Sequence, residues 1–219
     1  MKMRSVPPLL VLAGIMFAAA PWVIDTAPYE SSMGLVQRIF YFHLPAAMTT
    51  LMSAIVCGVT SARYLAKRRP ASDRLAFAAA ELTVVFGTMV LVTGPLWARK
   101  AWGVWWDWEP RLTSFLVMWL IFISYLLLRR FGGAGSEVLA AALGLFGMVL
   151  APFVYISVEL WRTLHPKTSV LPTLPSPMLI PYLWCQAAFL ILYLVLLMMR
   201  ARLEYVRSEV DAAYLSLEE

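Results

Sequence analysis

Residues 178–199 have the sequence MLIPYLWCQAAFLILYLVLLMM, which is 22 consecutive residues without a charged side chain. An α-helix of about 20 apolar residues crosses the hydrocarbon core of a bilayer, so this stretch predicts a transmembrane helix. The same criterion finds five more segments, and only one of them carries an interior charge, at Glu81. Because the runs are continuously apolar rather than alternating, they favour helices over barrel strands. The predicted spans are residues 5–24, 39–62, 75–98, 112–128, 138–158 and 178–199.

The composition of the whole chain supports an all-α integral membrane protein with six transmembrane helices. Of its 219 residues, 61% are hydrophobic and 14% are charged, whereas a soluble domain has about 25% charged residues. The net charge of +5 is spread over short basic runs between the apolar segments. That distribution is typical of membrane topology signals, and we expect no nucleic-acid partner. Cys57 and Cys185 are predicted at depths that differ by about 15 Å, too far apart for a disulfide.

The basic residues also predict how the chain is oriented. Twelve of the 18 Lys and Arg residues lie on the side of the predicted spans that holds both termini. By the positive-inside rule, both termini are cytoplasmic and the first, third and fifth connections face outward. Residues 1–200 then form the membrane domain, and the charged residues 201–219 form a cytoplasmic tail that extends the last helix. A cleaved signal peptide is the alternative for residues 5–24, but Pro21 directly after the possible cleavage site at Ala20 favours a span.

The two histidines and most of the tryptophans fall on the outward side of this topology. His43 lies in YFHLP at the start of the second span, and His165 lies in WRTLHP in the last outward connection. Residues 97–108 between them contain five of the nine tryptophans. Interfacial anchoring needs only one or two tryptophans, so we favour a platform for a planar aromatic ligand over an anchoring belt.

Two imidazoles beside such a platform predict a metal-containing ligand. Haem iron has four equatorial nitrogens of its own and needs two axial ligands, which His43 and His165 can supply. Zinc is the alternative, but it requires four ligands, and the outward connections contain no cysteine and no closely spaced histidine pair.

Residues 102–113, WGVWWDWEPRLT, resemble the tryptophan-rich "WWD" signature of the haem-handling proteins of cytochrome c biogenesis. The segments around His43 and His165 are similar to those of the six-helix CcmC family, and the resemblance covers essentially residues 1–200. It implies that the two histidines are the axial ligands of haem iron. Where the family commonly has aspartate, this chain has Glu109, so the role of that carboxylate is left open. The resemblance further implies a haem platform formed by Trp102, Trp105, Trp106 and Trp108.

The resemblance also implies a cargo, partners and a location. CcmC-like proteins hold b-type haem non-covalently at the periplasmic face of the bacterial inner membrane and present it to the haem chaperone CcmE. They work beside CcmD and the ATP-binding-cassette subunits CcmA and CcmB. We expect haem presentation rather than an enzymatic reaction, although assistance to covalent attachment of haem on the chaperone stays open. The alternatives are a transmembrane haem transporter and a purely structural subunit.

The remaining charged residues allow two interpretations each. Glu81 is either functional, as intramembrane acids often are, or in contact with cytoplasmic water or a neighbouring subunit. The basic side chains in the outward connections either bind the haem propionates or extend along the membrane interface so that their charged groups are hydrated. These candidate propionate partners are Arg38, Arg111, Arg162 and Lys167.

Overall fold

The computed structural model describes residues 3–218, so Lys2 and Glu219, which enter the orientation and tail predictions, lie outside the described residues. Within that range the chain is helical and contains no strands. Each of the six α-helices is long and apolar enough to cross a membrane, which confirms the predicted fold class. The helices are α1 (Val6–Asp25), α2 (Phe40–Lys67), α3 (Pro70–Ala101), α4 (Pro110–Phe131), α5 (Ser136–Leu160) and α6 (Ser176–Glu218).

Proline determines where several of these helices begin. Pro70 and Pro110 occupy the first turns of α3 and α4, where the missing N–H has no intrahelical acceptor to lose. Arg68 ends α2 in the left-handed conformation, at φ +50°, and extended Arg69 then leads into Pro70. The connection between α2 and α3 is therefore only two residues long, and the two helices pack side by side as an antiparallel pair.

Small side chains on α2 allow its neighbours to approach closely. This helix packs against α3, α5 and α6, while α4 packs against α3 and α5, and α1 lies mainly against α6. The hydrophobic effect does not drive helices together within a bilayer, so their association depends on close van der Waals contact, which small residues at the interface allow. A hydrogen bond between α2 and α3 adds to this contact, from Ser53 Oγ to the Ala79 carbonyl oxygen at 2.8 Å. The buried small residues of α2 are Ala46, Thr49, Thr50, Ser53, Ala54, Cys57, Gly58, Thr60 and Ser61.

Ion pairs join α3 to its neighbours near the α2–α3 connection. Arg200 in α6 binds Glu81 with both Nε and Nη2, each 2.7 Å from a carboxylate oxygen. Arg129 in α4 binds Asp73 at 2.8 Å. Glu81, the acidic residue predicted inside a span, thus forms an ion pair with an arginine of the same chain. Helix α6 continues without interruption through Glu218, so residues 201–218 extend the last helix.

Candidate functional site

Three separate segments of the chain meet at one end of the bundle. They are the start of α2, the tryptophan loop (residues 102–109) and the histidine loop (residues 161–175). Two adjacent cavities lie among them, and both are lined by His43, Trp97, Arg111 and His165. The shared wall between the cavities is therefore where the two imidazoles predicted from the sequence come together.

The larger cavity has a volume of about 290 Å³ and reaches toward the start of α6. We call it the methionine cavity, because Met33, Met48 and Met178 line it. The smaller cavity, of about 60 Å³, lies under the tryptophan loop. We call it the tryptophan cavity, after Trp102, Trp105 and Trp106.

The protonation pattern of His43 is set by a threonine of α3. His43 Nδ1 lies 2.9 Å from Thr93 Oγ1, and that hydroxyl donates its only proton to the Met89 carbonyl oxygen at 2.7 Å. Thr93 Oγ1 must therefore accept from His43 Nδ1–H, which leaves the Nε2 lone pair free. Gly94 makes the close approach of α3 possible, because a Cβ at this position would lie 3.3 Å from His43 Cε1.

His165 has the same protonation pattern, produced by a different contact. Its Nδ1 lies 3.1 Å from the Pro166 carbonyl oxygen, and since a carbonyl only accepts, Nδ1–H is the donor and Nε2 is free. Burial and the nearby Arg111 guanidinium lower the pKa of His165 to about 3. The imidazole is accordingly neutral near pH 7, which is the form that binds a metal.

Two neutral imidazoles with free Nε2 atoms fit an iron that needs two axial ligands. The cavity walls around them are largely apolar, as a porphyrin requires. Among residues 3–218 no group of three or more His, Cys, Asp or Glu side chains is arranged to hold a metal ion. The zinc alternative thus lacks a ligand set in the part of the chain that the structure describes, whereas haem needs only the two histidines.

The tryptophans divide into cavity-lining and exposed members. Trp102 packs edge-on against His165, with 6.2 Å between ring centroids, and against Trp97 at 5.3 Å. Trp106 Nε1 is buried without a hydrogen-bond partner in the described chain, so it can donate to a ligand. Trp105 also lines the tryptophan cavity. Trp108, by contrast, is 73% exposed and lines neither cavity.

The predicted charged residues also separate in space. Arg111 lines both cavities, and its Nη1 donates to the Tyr155 carbonyl oxygen at 3.4 Å. Lys167 lines the methionine cavity. Arg38 instead pairs with Asp25 at 2.6 Å and lines neither cavity. Of the four candidate cations, Arg111 is therefore the best placed to reach a bound anion.

Glu109 does not point into either cavity. Its carboxylate is buried and accepts hydrogen bonds from the Thr163 hydroxyl and from the Leu164 N–H, the latter at 2.8 Å. The structure thus brings this predicted site residue to the histidine loop rather than to the space where a ligand would lie.

Sequence reasoning missed Thr93, counted Trp97 in the cluster but not in the haem platform, and assigned Gly94 only to packing. Thr93 and Trp97 are four residues apart on α3, so they share one helix face. That spacing was a usable signal, because it places Thr93 one turn below a tryptophan of the cluster. Gly94 gave no comparable signal, since its role depends on where α2 packs.

Comparisons with known proteins match nearly the whole chain. The family model of heme exporter protein C matches residues 1–216. Heme exporter protein C of Bradyrhizobium diazoefficiens is 32% identical over 213 residues, which cover 94% of this chain and 81% of that protein. The Escherichia coli K12 protein of the same name is 31% identical over 204 residues, covering 89% of this chain and 82% of the relative. That of Paracoccus denitrificans is 31% identical over 216 residues, covering 89% and 90%.

Proposed function

The chain belongs to the heme exporter protein C family, as its sequence motifs indicated, and on that premise we propose that it binds haem between His43 and His165 and presents it for transfer. Haem is the cargo, of b-type and bound non-covalently. The observation that carries the proposal is that the two imidazoles have the same protonation pattern. Each donates through Nδ1 and keeps Nε2 free, and both residues line both cavities.

The walls supply contacts for the rest of the porphyrin. Trp102 and Trp105 offer aromatic faces or edges for stacking in the tryptophan cavity. Arg111 offers a guanidinium for a propionate, with which it would form charge-assisted hydrogen bonds. The unpartnered indole N–H of Trp106 is a further donor. What the chain does in this proposal is bind, orient and release haem.

The location and the partners belong to the same proposal. The excess of Lys and Arg on the side of the termini supports placing the site at the periplasmic face of the bacterial inner membrane. CcmE receives the haem there, and CcmD, CcmA and CcmB act beside this chain. Trp105 and Trp108 are 57% and 73% exposed, so the tryptophan loop presents aromatic surface that a chaperone can contact.

Presentation is favoured over transport through this chain. A path for a dianionic porphyrin through the bilayer would require polar or cationic lining. Glu81, the one charged residue inside the predicted spans, is occupied by its bidentate pair with Arg200. Flux of haem into liposomes that contain this chain alone would contradict presentation and support the transporter alternative.

The ligands can be tested by spectroscopy on the purified protein. Wild type, His43→Ala, His165→Ala and the double variant would be purified in detergent with a histidine-free tag and titrated with ferric haem. We expect a low-spin bis-imidazole absorption and EPR spectrum for wild type, a high-spin five-coordinate spectrum for each single variant, and no defined complex for the double variant. A low-spin spectrum that persists unchanged in the double variant would contradict the assignment.

A further inference from the structure

Glu109 is in an unusual place for a buried carboxylate. It is the residue before Pro110, the first residue of α4, and its backbone is extended at φ −76° and ψ +160°. A residue at this position commonly uses its side chain to cap the helix, but Glu109 makes no such bond. The side chain is 6% exposed and turns to the histidine loop instead.

One carboxylate oxygen of Glu109 collects both contacts. Oε2 accepts from the Thr163 hydroxyl and from the Leu164 N–H at 2.8 Å. Thr163 Oγ1 in turn accepts from the His165 N–H at 3.0 Å. The chain of hydrogen bonds therefore runs from the tryptophan loop directly to the backbone of a ligand residue. Hydrogen bonds to a buried anion are about twice as strong as those between neutral groups.

The stretch around His165 lies between helical elements. Between the end of α5 at Leu160 and the short 3-10 turn at Thr168–Val170, the histidine loop has no helical hydrogen bonds of its own. Its other anchoring carboxylate, Glu159, binds Thr168, three residues beyond His165. The backbone on the N-terminal side of His165 is thus held by Glu109, while Trp102 packs against the His165 ring.

We propose that Glu109 is a positioning residue that latches the histidine loop to the tryptophan loop and so holds His165 at the haem iron. This inference rests on the proposed function, in which His165 is a ligand of haem iron. It differs from a direct contact to haem in one respect: the carboxylate acts through Thr163 and Leu164. Since the tryptophan loop carries the exposed aromatic surface, a partner that displaces this loop would also withdraw His165 from the iron.

Two variants weaken the latch by different routes. Glu109→Gln keeps the shape and an acceptor oxygen but removes the charge that strengthens both hydrogen bonds. Thr163→Val keeps the volume but removes the hydroxyl that links Glu109 to the His165 N–H. Glu109→Asp retains the charge and serves as the rescue variant. Asp107→Asn is the matched control, because it removes an acidic charge from the same loop at an exposed position.

The first readout needs no haem. Hydrogen exchange of the haem-free protein should be faster at the amides of Leu164 and His165 in Glu109→Gln and in Thr163→Val, and unchanged in Asp107→Asn. The second readout is the ferric haem complex. We expect both latch variants to lose low-spin character and to bind haem about 10- to 100-fold more weakly, while Glu109→Asp and Asp107→Asn keep the low-spin spectrum.

The outcomes separate the latch from the haem proposal. If wild type forms no bis-imidazole complex, the proposed function fails, and hydrogen exchange still reports whether Glu109 holds the loop. If wild type forms that complex and both latch variants match it in spectrum and affinity, the latch is refuted. An equal loss in Asp107→Asn would also overturn it, because loop charge rather than the Thr163 and Leu164 contacts would then be responsible.

Discussion

Replacing Thr93 with valine should weaken haem binding without unfolding the protein. The substitution keeps the volume of the side chain but removes the oxygen that accepts from His43 Nδ1 at 2.9 Å. Iron binding through Nε2 requires the proton on Nδ1, which would then be buried without an acceptor. Such an orphaned donor costs about 1–3 kcal/mol, which corresponds to about 5- to 150-fold in the dissociation constant. Loss of the hydrogen-bond partner of a metal-binding histidine commonly lowers metal affinity 10- to 100-fold, which is in the same range.

The assay is a haem titration of the purified protein, followed by absorption and tryptophan quenching. Thr93→Ser retains the hydroxyl and should stay within a few-fold of wild type. Thr83→Val is the matched control, because Thr83 makes the same hydroxyl-to-carbonyl bond within α3, to Ala79 at 2.9 Å, and lines neither cavity. The reasoning is refuted if Thr93→Val binds haem as tightly as Thr83→Val and shows the same low-spin spectrum.

Three further predictions follow from the packing. Trp102→Ala should weaken haem binding about tenfold, because it removes a ring that lines the tryptophan cavity, where an aromatic contact to the ligand is worth about 0.5–1.5 kcal/mol, and also removes the ring edge that packs against His165. Trp108→Ala, at an exposed position, should change affinity less than threefold in the same titration. Gly94→Ala should displace the His43 imidazole by a few tenths of an ångström and weaken haem binding several-fold in the same titration. Gly14→Ala should not change haem affinity, because there is open space around a Cβ at that position. Glu81→Gln should lower the free energy of unfolding by about 1–3 kcal/mol, because it removes the bidentate ion pair and leaves the partly buried Arg200 with Glu204 as its remaining anionic partner. Thermal denaturation in detergent should show the loss, and an unchanged midpoint would contradict it.

The sequence was sufficient to predict the helices because their signal is local. Each span is a run of apolar residues that meets the length requirement of the bilayer regardless of its neighbours. The helices extend beyond the predicted spans, as α3 does at Pro70–Ala101 against residues 75–98. Charged and polar residues continue a helix past the hydrocarbon region, and hydropathy alone does not detect them. The continuation of α6 to Glu218 was predicted, because the charged tail has helical spacing.

The candidate site could be predicted only in part, because its geometry depends on which segments meet. The alternation of the spans was enough to place His43 and His165 at the same end of the bundle. No sequence pattern predicted that Arg38 would pair with Asp25, or that Trp108 would line neither cavity. Those side chains are directed by contacts between segments distant along the chain, and such contacts leave no periodic signal.

The two histidines are supported in different ways, and this difference bears on how haem is released. His43 lies within α2, and its ring is fixed from α3 by Thr93 and the close approach of Gly94. Those two helices pack along their lengths and join through a two-residue connection. His165 lies in a loop, and its support comes from Glu109 and from the edge of Trp102, both on the tryptophan loop. A loop held by a few hydrogen bonds opens at a lower free energy than a packed helix pair. On the proposed function, we therefore expect the release of haem to begin at His165, on the side of the exposed tryptophans.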